Sequence, residues 1–192
     1  MEFQDQSMNT VRMIAFVAVL FFAASRSLVS AEPEPEYIYP RVQGFGKVVQ
    51  LKYAEQQPRE GSRIVVDLIK GGDPTKLNAG VEKVARYVNI YAGAGEKPAH
   101  AEIAVVLHGD ATLVCLKPEI YSQRFQTKGN PNAECIQKLR SAGVKFYVCG
   151  QSLIGKGQRP EDVEKNVEVT VSALTSLVNL QADGYAYIPL GN

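Results

Sequence analysis

Residues 101–107, AEIAVVL, constrain the fold of this chain more than any other segment because they are almost continuous in apolar side chains. Such a strand is typical of the centre of a parallel sheet that is covered on both faces. Residues 63–69, RIVVDLI, are rich in β-branched side chains and form a second strand candidate. Between the two, apolar residues recur at helical spacing. This spacing predicts a helix near residues 74–92, with Asp73 as its cap and Pro74 in its first turn.

The alternation of strand-like and helix-like segments continues to the end of the chain. It predicts an α/β fold with a mostly parallel sheet, and the length of 192 residues favours one domain. The residues after Cys149 are predicted to form a loop. The further strand candidates are residues 47–51, 144–148, 167–171 and 185–189. The further helix candidates are residues 110–116, 119–126, a segment that opens at Asn130-Pro131 and stops at Gly143, and a segment from Val171 to Gly184.

The first 31 residues have the features of a secretory signal peptide. Arg12 precedes an uncharged apolar run at residues 13–24, and small residues favour cleavage after Ala31. A retained anchor helix is the alternative, although the run is shorter than the about 20 residues that span a bilayer. We therefore predict a secreted or periplasmic protein with no membrane contact after cleavage. Residues 32–60, which begin EPEPEYIYP, are predicted to be an extended N-terminal arm, and residues 61–192 the α/β domain.

The charge balance argues against one class of partner. The chain has 21 basic and 20 acidic side chains, so there is no electrostatic case for binding nucleic acid. Only two histidines are present, and no cysteine–histidine pair has the spacing of zinc ligands, so we predict no metal site and no cofactor. The cysteines number three, which in an exported chain leaves at least one thiol without an intramolecular partner.

Two predicted strands end in residues that can carry chemistry. His108-Gly109 follows one strand, and Cys149-Gly150-Gln151-Ser152 follows another. Ligands of open parallel sheets bind outside the carboxyl ends of the strands, so these residues are candidates for one ligand pocket. Cys149 could be a buried filler, half of a disulfide or a reactive thiol. Backbone N–H groups of the following turn would favour its thiolate, and Gly150 would let the backbone approach a ligand closely.

Other residues near these strand ends have more than one interpretation. Cys115 is a candidate second thiol that could approach Cys149 as a redox pair or a disulfide. Cys135 is interpreted as a core residue or a disulfide partner. His108 could be a base that faces the ligand, or a histidine with satisfied hydrogen bonds at the sheet edge. Asp110 is interpreted as a helix N-cap rather than a catalytic acid.

Three segments together resemble the DsrE/DsrF-like (YchN-like) family: VVLHGDA, NPNAECIQKLRSAGVKFYVCGQS and ALTSLVNLQADGYAYIPL. The resemblance covers residues 61–190 and implies a three-layer α/β/α domain with a parallel sheet, assembled as a trimer or a hexamer. Characterised members act in sulfur trafficking, in which a cysteine carries a persulfide and passes its outer sulfur to a partner. That cysteine follows the strand after the AGV sequence and corresponds to Cys149 here.

The resemblance implies a sulfur carrier or sulfurtransferase with a persulfide on Cys149, which exchanges sulfur with a donor and an acceptor protein, and the predicted signal peptide adds that it is exported. Such a carrier needs no metal, and it needs no acid–base pair if the partner supplies the proton transfers. The three-subunit relay members of the family are cytosolic, whereas this chain carries a predicted signal peptide. The alternative is a non-catalytic module of the same fold that binds a small ligand between His108 and Cys149, or that acts in assembly with its cysteines paired.

Overall fold

A computed structural model describes residues 34–190, which contain a five-stranded sheet with parallel pairing throughout. The strands are β1 Ser62–Leu68, β2 Ala101–Leu107, β3 Lys145–Cys149, β4 Glu168–Thr170 and β5 Ala186–Pro189. Their spatial order is β4-β3-β2-β1-β5. The α/β fold with a mostly parallel sheet, predicted from the sequence, is confirmed.

Helices cover both faces of the sheet. They are α1 Ala79–Asn89, α2 Pro118–Phe125, α3 Ala133–Ser141, α4 Gly150–Gly155 and α5 Ala173–Ala182, with a π-helix at Ile90–Ala94 and 3₁₀ helices at Gly109–Cys115 and Pro160–Asp162. Residues of α1, α3 and the first 3₁₀ helix pack on one face, around Val66 and Phe146. Residues of α5 pack on the other face, against Val65 and Val106. The domain therefore has the three layers of an α/β/α fold.

The central strand β2 shows why its sequence is almost continuously apolar. Ile103, Val105 and Leu107 point into the larger core cluster, whereas Ala104 and Val106 point into the smaller cluster beneath α5. All five side chains are at most 4 % exposed. Since successive side chains of a strand point to opposite faces, a strand covered on both sides has no place for alternating polar residues.

Helix α5 crosses its face of the sheet diagonally. Its N-cap, Ser172, follows β4, and β4 pairs with the carboxyl end of β3 through Thr170 and Cys149. After its last turn, the carbonyl of Asp183 accepts a 2.9 Å hydrogen bond from Arg63, which lies at the amino end of β1. On this face, α5 therefore leaves the carboxyl ends of β2, β1 and β5 open.

Residues 34–60, which were predicted to be an extended arm, have little regular secondary structure but contact the domain. Ile38 and Val48 form a single antiparallel bridge, and Val42 is buried in the larger core cluster. Asn89 of α1 holds this loop: its Oδ1 accepts from two backbone N–H groups at 2.9 and 2.7 Å, and its Nδ2 donates to two carbonyls at 2.8 and 2.9 Å.

The helix predicted near residues 74–92 begins later than expected. Its first residue is Ala79, because Asn78 rather than Asp73 is the N-cap. The side-chain oxygen of Asn78 accepts from two first-turn N–H groups at 2.8 and 3.2 Å. Asp73 instead accepts from the backbone N–H of Thr75 at 2.8 Å within a local turn. Both side chains suit an N-cap, so only the tertiary position of Asn78 decides between them.

Two further secondary-structure predictions are wrong. The strand expected at residues 47–51 is reduced to one bridge at Val48, because only Ile38 lies alongside it. The loop expected after Cys149 is instead the short helix α4, whose first turn is capped by the Cys149 sulfur. The other strand predictions agree with the structure to within two residues at each end.

No helix within residues 34–190 is long and apolar enough to cross a membrane. The signal peptide predicted at residues 1–31 lies outside the described residues, so the signal peptide and its cleavage after Ala31 stay predictions.

Candidate functional site

Cys149 ends β3 and is the N-cap of α4. Its side chain lies on the face that α5 covers, and the residue is 5 % exposed. The sulfur accepts a hydrogen bond from the backbone N–H of Ser152 at 3.4 Å. Burial disfavours the thiolate, but hydrogen bonds from Ser152, Ala173 and Gln151 outweigh burial and lower the pKa of the thiol. The site therefore holds a thiol that ionises more readily than an ordinary cysteine.

The other two cysteines have a different environment. Cys115 and Cys135 are fully buried in the core cluster on the opposite face of the sheet from Cys149. Burial raises the pKa of each of these two thiols to about 12. All three cysteines are free. The structure therefore does not bring Cys115 to Cys149 as a redox pair or a disulfide, and it places Cys135 in the core.

His108 is hydrogen-bonded to a buried carboxylate. Its Nε2 lies 2.6 Å from Oδ1 of Asp67, and the hydroxyl of Tyr187 donates to Oδ2 of Asp67, also at 2.6 Å. Asp67 is buried within β1, whereas Tyr187 is 42 % exposed. The hydrogen bond to the carboxylate raises the pKa of Tyr187, because an ionised phenol would lose this bond and face a second negative charge.

His108 and Cys149 are neighbours across the sheet. Leu107 of β2 is paired in register with Val148 of β3, and His108 and Cys149 are the residues that follow these two. Neighbouring strands lie about 4.8 Å apart. The backbone of His108 is extended, so its side chain shares a face with Cys149. On this face of the sheet, a row of functional groups therefore runs across β3, β2, β1 and β5. In that order of strands, the groups are Cys149, His108, Asp67 and Tyr187.

The remaining pocket candidates mainly shape the backbone. Gly109 has a positive φ of 54°, and a Cβ there would lie 2.9 Å from a side-chain atom after β1. A Cβ at Gly150 would lie 2.7 Å from the carbonyl oxygen of Thr170. These two glycines let the strand ends pack closely. Gln151 is exposed and Ser152 half-buried, and both contribute hydrogen bonds to the thiol.

The interpretation of Asp110 as a helix N-cap is wrong. The 3₁₀ helix begins after His108 and has no side-chain cap. Asp110 instead forms a 2.6 Å ion pair with Lys156, whose hydrogen bond and charge lower the pKa of this carboxyl group. The ion pair ties the segment after β2 to the segment after α4.

Asp67 and Tyr187 were not among the predicted site residues. For Asp67 a signal exists: an ionisable residue interrupts the apolar strand IVVDLI, where a carboxylate is unfavourable unless it is paired. Tyr187 lies 120 residues further along the chain, so no local pattern connects it to Asp67.

The described part of the chain offers no other centre of comparable chemistry near the thiol. Residues 34–190 contain no group of three or more histidine, cysteine, aspartate or glutamate side chains that could hold a metal ion. A cavity of about 420 Å³ lies between the N-terminal segment and α1, and its lining includes Lys47 and Arg86 but neither His108 nor Cys149. The chemistry available at the carboxyl ends of these strands is that of a thiol with a lowered pKa next to a histidine.

These features define a class: an α/β/α domain with a readily ionised thiol at the carboxyl edge of a parallel sheet. The model of the DsrE/DsrF-like family matches residues 63–190, and the chain belongs to this family. A search of curated proteins finds no match. Among solved structures, MTH1491 from Methanobacterium thermoautotrophicum, described as a protein of unknown function, is similar with 23 % identity and a TM-score of 0.48. The similarity covers 67 % of this chain and 99 % of that chain.

Proposed function

We propose that this protein is an exported sulfur carrier, or sulfurtransferase, that holds a sulfur atom as a persulfide on Cys149. The observation that carries the proposal is the hydrogen-bonded thiol of lowered pKa at the sheet edge of a DsrE/DsrF-like chain. A carrier of this kind needs a thiol that ionises readily, and it needs no metal. Cys115 and Cys135 are unsuited to the role because both are fully buried and have raised pKa values.

Loading and delivery of the sulfur balance without an oxidant. In loading, the Cys149 thiolate attacks the outer sulfur of a donor persulfide, a new S–S bond forms, and the donor leaves as its thiolate. In delivery, an acceptor thiolate attacks the same outer sulfur and Cys149 leaves. A lowered pKa supports both steps, because it increases the thiolate fraction for loading and makes Cys149 a better leaving group for delivery.

Peptide mass mapping after treatment with glutathione persulfide tests the proposal. The peptide that contains Cys149 should gain about 32 Da, the mass of one sulfur atom. The Cys149→Ser variant should gain none, and the matched variant Cys115→Ser should gain as much as the wild type. Equal uptake by Cys149→Ser would contradict the proposal.

The exported location is a separate part of the proposal and rests on the predicted signal peptide. When the full chain is expressed with a secretion system, N-terminal sequencing of the mature protein should begin at Glu32. Recovery of a membrane-bound chain that keeps residues 1–31 would support the anchor alternative instead.

An exposed apolar surface supports a second proposal, that the chain associates with copies of itself. Five large apolar residues lie in or next to α4, β4 and α5 and are at least 39 % exposed: Ile154, Val169, Val171, Leu174 and Val178. Clustered apolar exposure of this kind marks interaction sites. We propose that a second copy of the chain covers this surface in a trimer or a hexamer. If assembly or ligand binding is the whole function, wild-type protein should take up no sulfur on Cys149.

A further inference from the structure

A buried carboxylate lies beside the thiol site at a position where packing does not require it. The Asp67 side chain is 5 % exposed, and its neighbours Val65, Val66 and Leu68 are fully buried apolar residues. A carboxylate at such a position destabilises a fold unless its oxygens are paired, and an apolar residue of similar size is often at least as stable there. Both oxygens of Asp67 are paired, each at 2.6 Å, one with His108 directly after β2 and the other with Tyr187 of β5.

The hydrogen bonds of Asp67 indicate which ring nitrogen of His108 donates to its carboxylate. Tyr187 stays protonated because its pKa is raised, and its hydroxyl donates to the carboxylate. A carboxylate oxygen accepts hydrogen bonds, so in this arrangement Nε2 of His108 is the donor to Asp67. This arrangement leaves Nδ1 as the ring nitrogen that can accept a proton from a substrate or return one to it.

The position of His108 connects this cluster to the thiol. His108 directly follows β2 and neighbours Cys149 across the strand pairing, on the same face of the sheet. Its side chain is 25 % exposed in the corner that α5 leaves open. His108 and Cys149 make their hydrogen bonds to other partners, Asp67 and the backbone of Ser152, rather than to each other. Asp110, the nearest charged residue along the chain, is held by its own ion pair.

We propose that His108 is the acid–base residue of the Cys149 site, that Asp67 and Tyr187 position it, and that the substrates are alkyl persulfides and alkyl thiols. This inference rests on the proposed sulfur-carrier function and extends it, because the chain then supplies the proton transfers itself. Alkyl thiolates are poor leaving groups near neutral pH, so their departure gains most from a proton donor.

The proton follows the sulfur through a closed cycle. In loading, the Cys149 thiolate takes the outer S–H sulfur of the donor, the donor S–S bond breaks, and the protonated His108 gives its Nδ1 proton to the departing alkyl thiolate. In delivery, neutral His108 takes the proton from the acceptor thiol. The acceptor thiolate then attacks the outer sulfur, and Cys149 leaves as a thiolate. One donor persulfide and one acceptor thiol thus yield one donor thiol and one acceptor persulfide.

Two reagents with different leaving groups distinguish an acid–base role of His108 from a structural role. With glutathione persulfide, His108→Gln should slow loading of Cys149 by about 10²-fold or more. With a nitro-substituted aromatic disulfide, whose thiolate leaves without a proton, the same variant should react within about threefold of the wild type. Equal slowing with both reagents, or no slowing with either, would overturn the inference. If the wild-type protein takes up no sulfur from glutathione persulfide, the proposed function itself fails.

Two variants test the positioning residues. Asp67→Asn and Tyr187→Phe should both slow loading from glutathione persulfide, Asp67→Asn the more strongly, and both should leave the reaction with the aromatic disulfide unchanged. Tyr185→Phe is the matched control, because Tyr185 directly precedes β5 and its hydroxyl donates to Glu102 at 2.9 Å, near the amino end of β2. If Tyr185→Phe slows loading as much as Tyr187→Phe, the positioning role is wrong. Since Tyr187→Phe removes only one partly exposed hydroxyl, it keeps the test decisive if Asp67→Asn does not fold.

Discussion

In the folded protein, iodoacetamide should alkylate Cys149 far faster than the other two cysteines. At pH 7 a thiol with a pKa of about 12, as in Cys115 and Cys135, is ionised to about one part in 10⁵. An ordinary thiol with a pKa of ~8.5 is ionised to about 3 %, and the lowered pKa of Cys149 increases this fraction. Thiolate content alone therefore predicts a rate ratio above about 10³. The full burial of the other two cysteines should increase the ratio further.

Alkylation over time, followed by peptide mass mapping, measures all three rates in one sample. Mapping in denaturant is the control, because the three rates should converge once burial and hydrogen bonds are lost. Measured against pH, the rate at Cys149 should reach half its maximum at a lower pH than the rate of a free cysteine, since a lowered pKa moves thiolate formation to lower pH. Comparable rates at Cys149 and Cys115 in the folded protein, or a half-maximum above that of a free thiol, would refute the reasoning.

Three further predictions concern the turn, the N-terminal loop and assembly. Gly150→Ala should slow alkylation of the neighbouring thiol, because its Cβ would lie 2.7 Å from the carbonyl oxygen of Thr170; an unchanged rate would count against this contact. Asn89→Ala should lower the free energy of unfolding by about 3 kcal/mol, since buried loop groups lose their partners. Denaturant titration measures this loss of stability, and a loss under about 1 kcal/mol would contradict the prediction. Leu174→Asp should reduce the oligomer to monomers in light scattering, whereas Tyr53→Asp, at a fully exposed residue elsewhere, should not; a monomeric wild type would contradict the proposed interface.

The fold could be predicted because its determinants are local in sequence. The apolar run at residues 101–107 and the β-branched run at residues 63–69 specify buried strands by themselves, and both agree with the structure. Short elements were less predictable. The six residues of α4 are too few to form a helix on intrinsic propensity alone, and the helix depends on burial of Leu153 and on the Cys149 cap. The start of α1 was misplaced for a similar reason, because a buried Asn78 takes the place of Asp73 as its cap.

The candidate site could be predicted only in part. A thiol directly after a strand in a parallel sheet identified Cys149, and the next strand end identified His108. The partners of His108 were not predicted, because Asp67 looks like an isolated polar residue in an apolar strand and Tyr187 lies 120 residues from it. The separation of Cys115 from Cys149 by the sheet also depends on the packing of whole layers rather than on spacing in the sequence.

The mass of the intact protein through one cycle of loading and delivery tests the sulfur-carrier function most directly. After treatment with glutathione persulfide and removal of the excess, we expect wild-type protein to gain about 32 Da. After addition of an acceptor thiol, it should return to its starting mass while the acceptor appears as its persulfide. A wild-type protein that gains no sulfur, or a gain that the Cys149→Ser variant retains, would contradict the assignment of Cys149 as the sulfur-carrying residue.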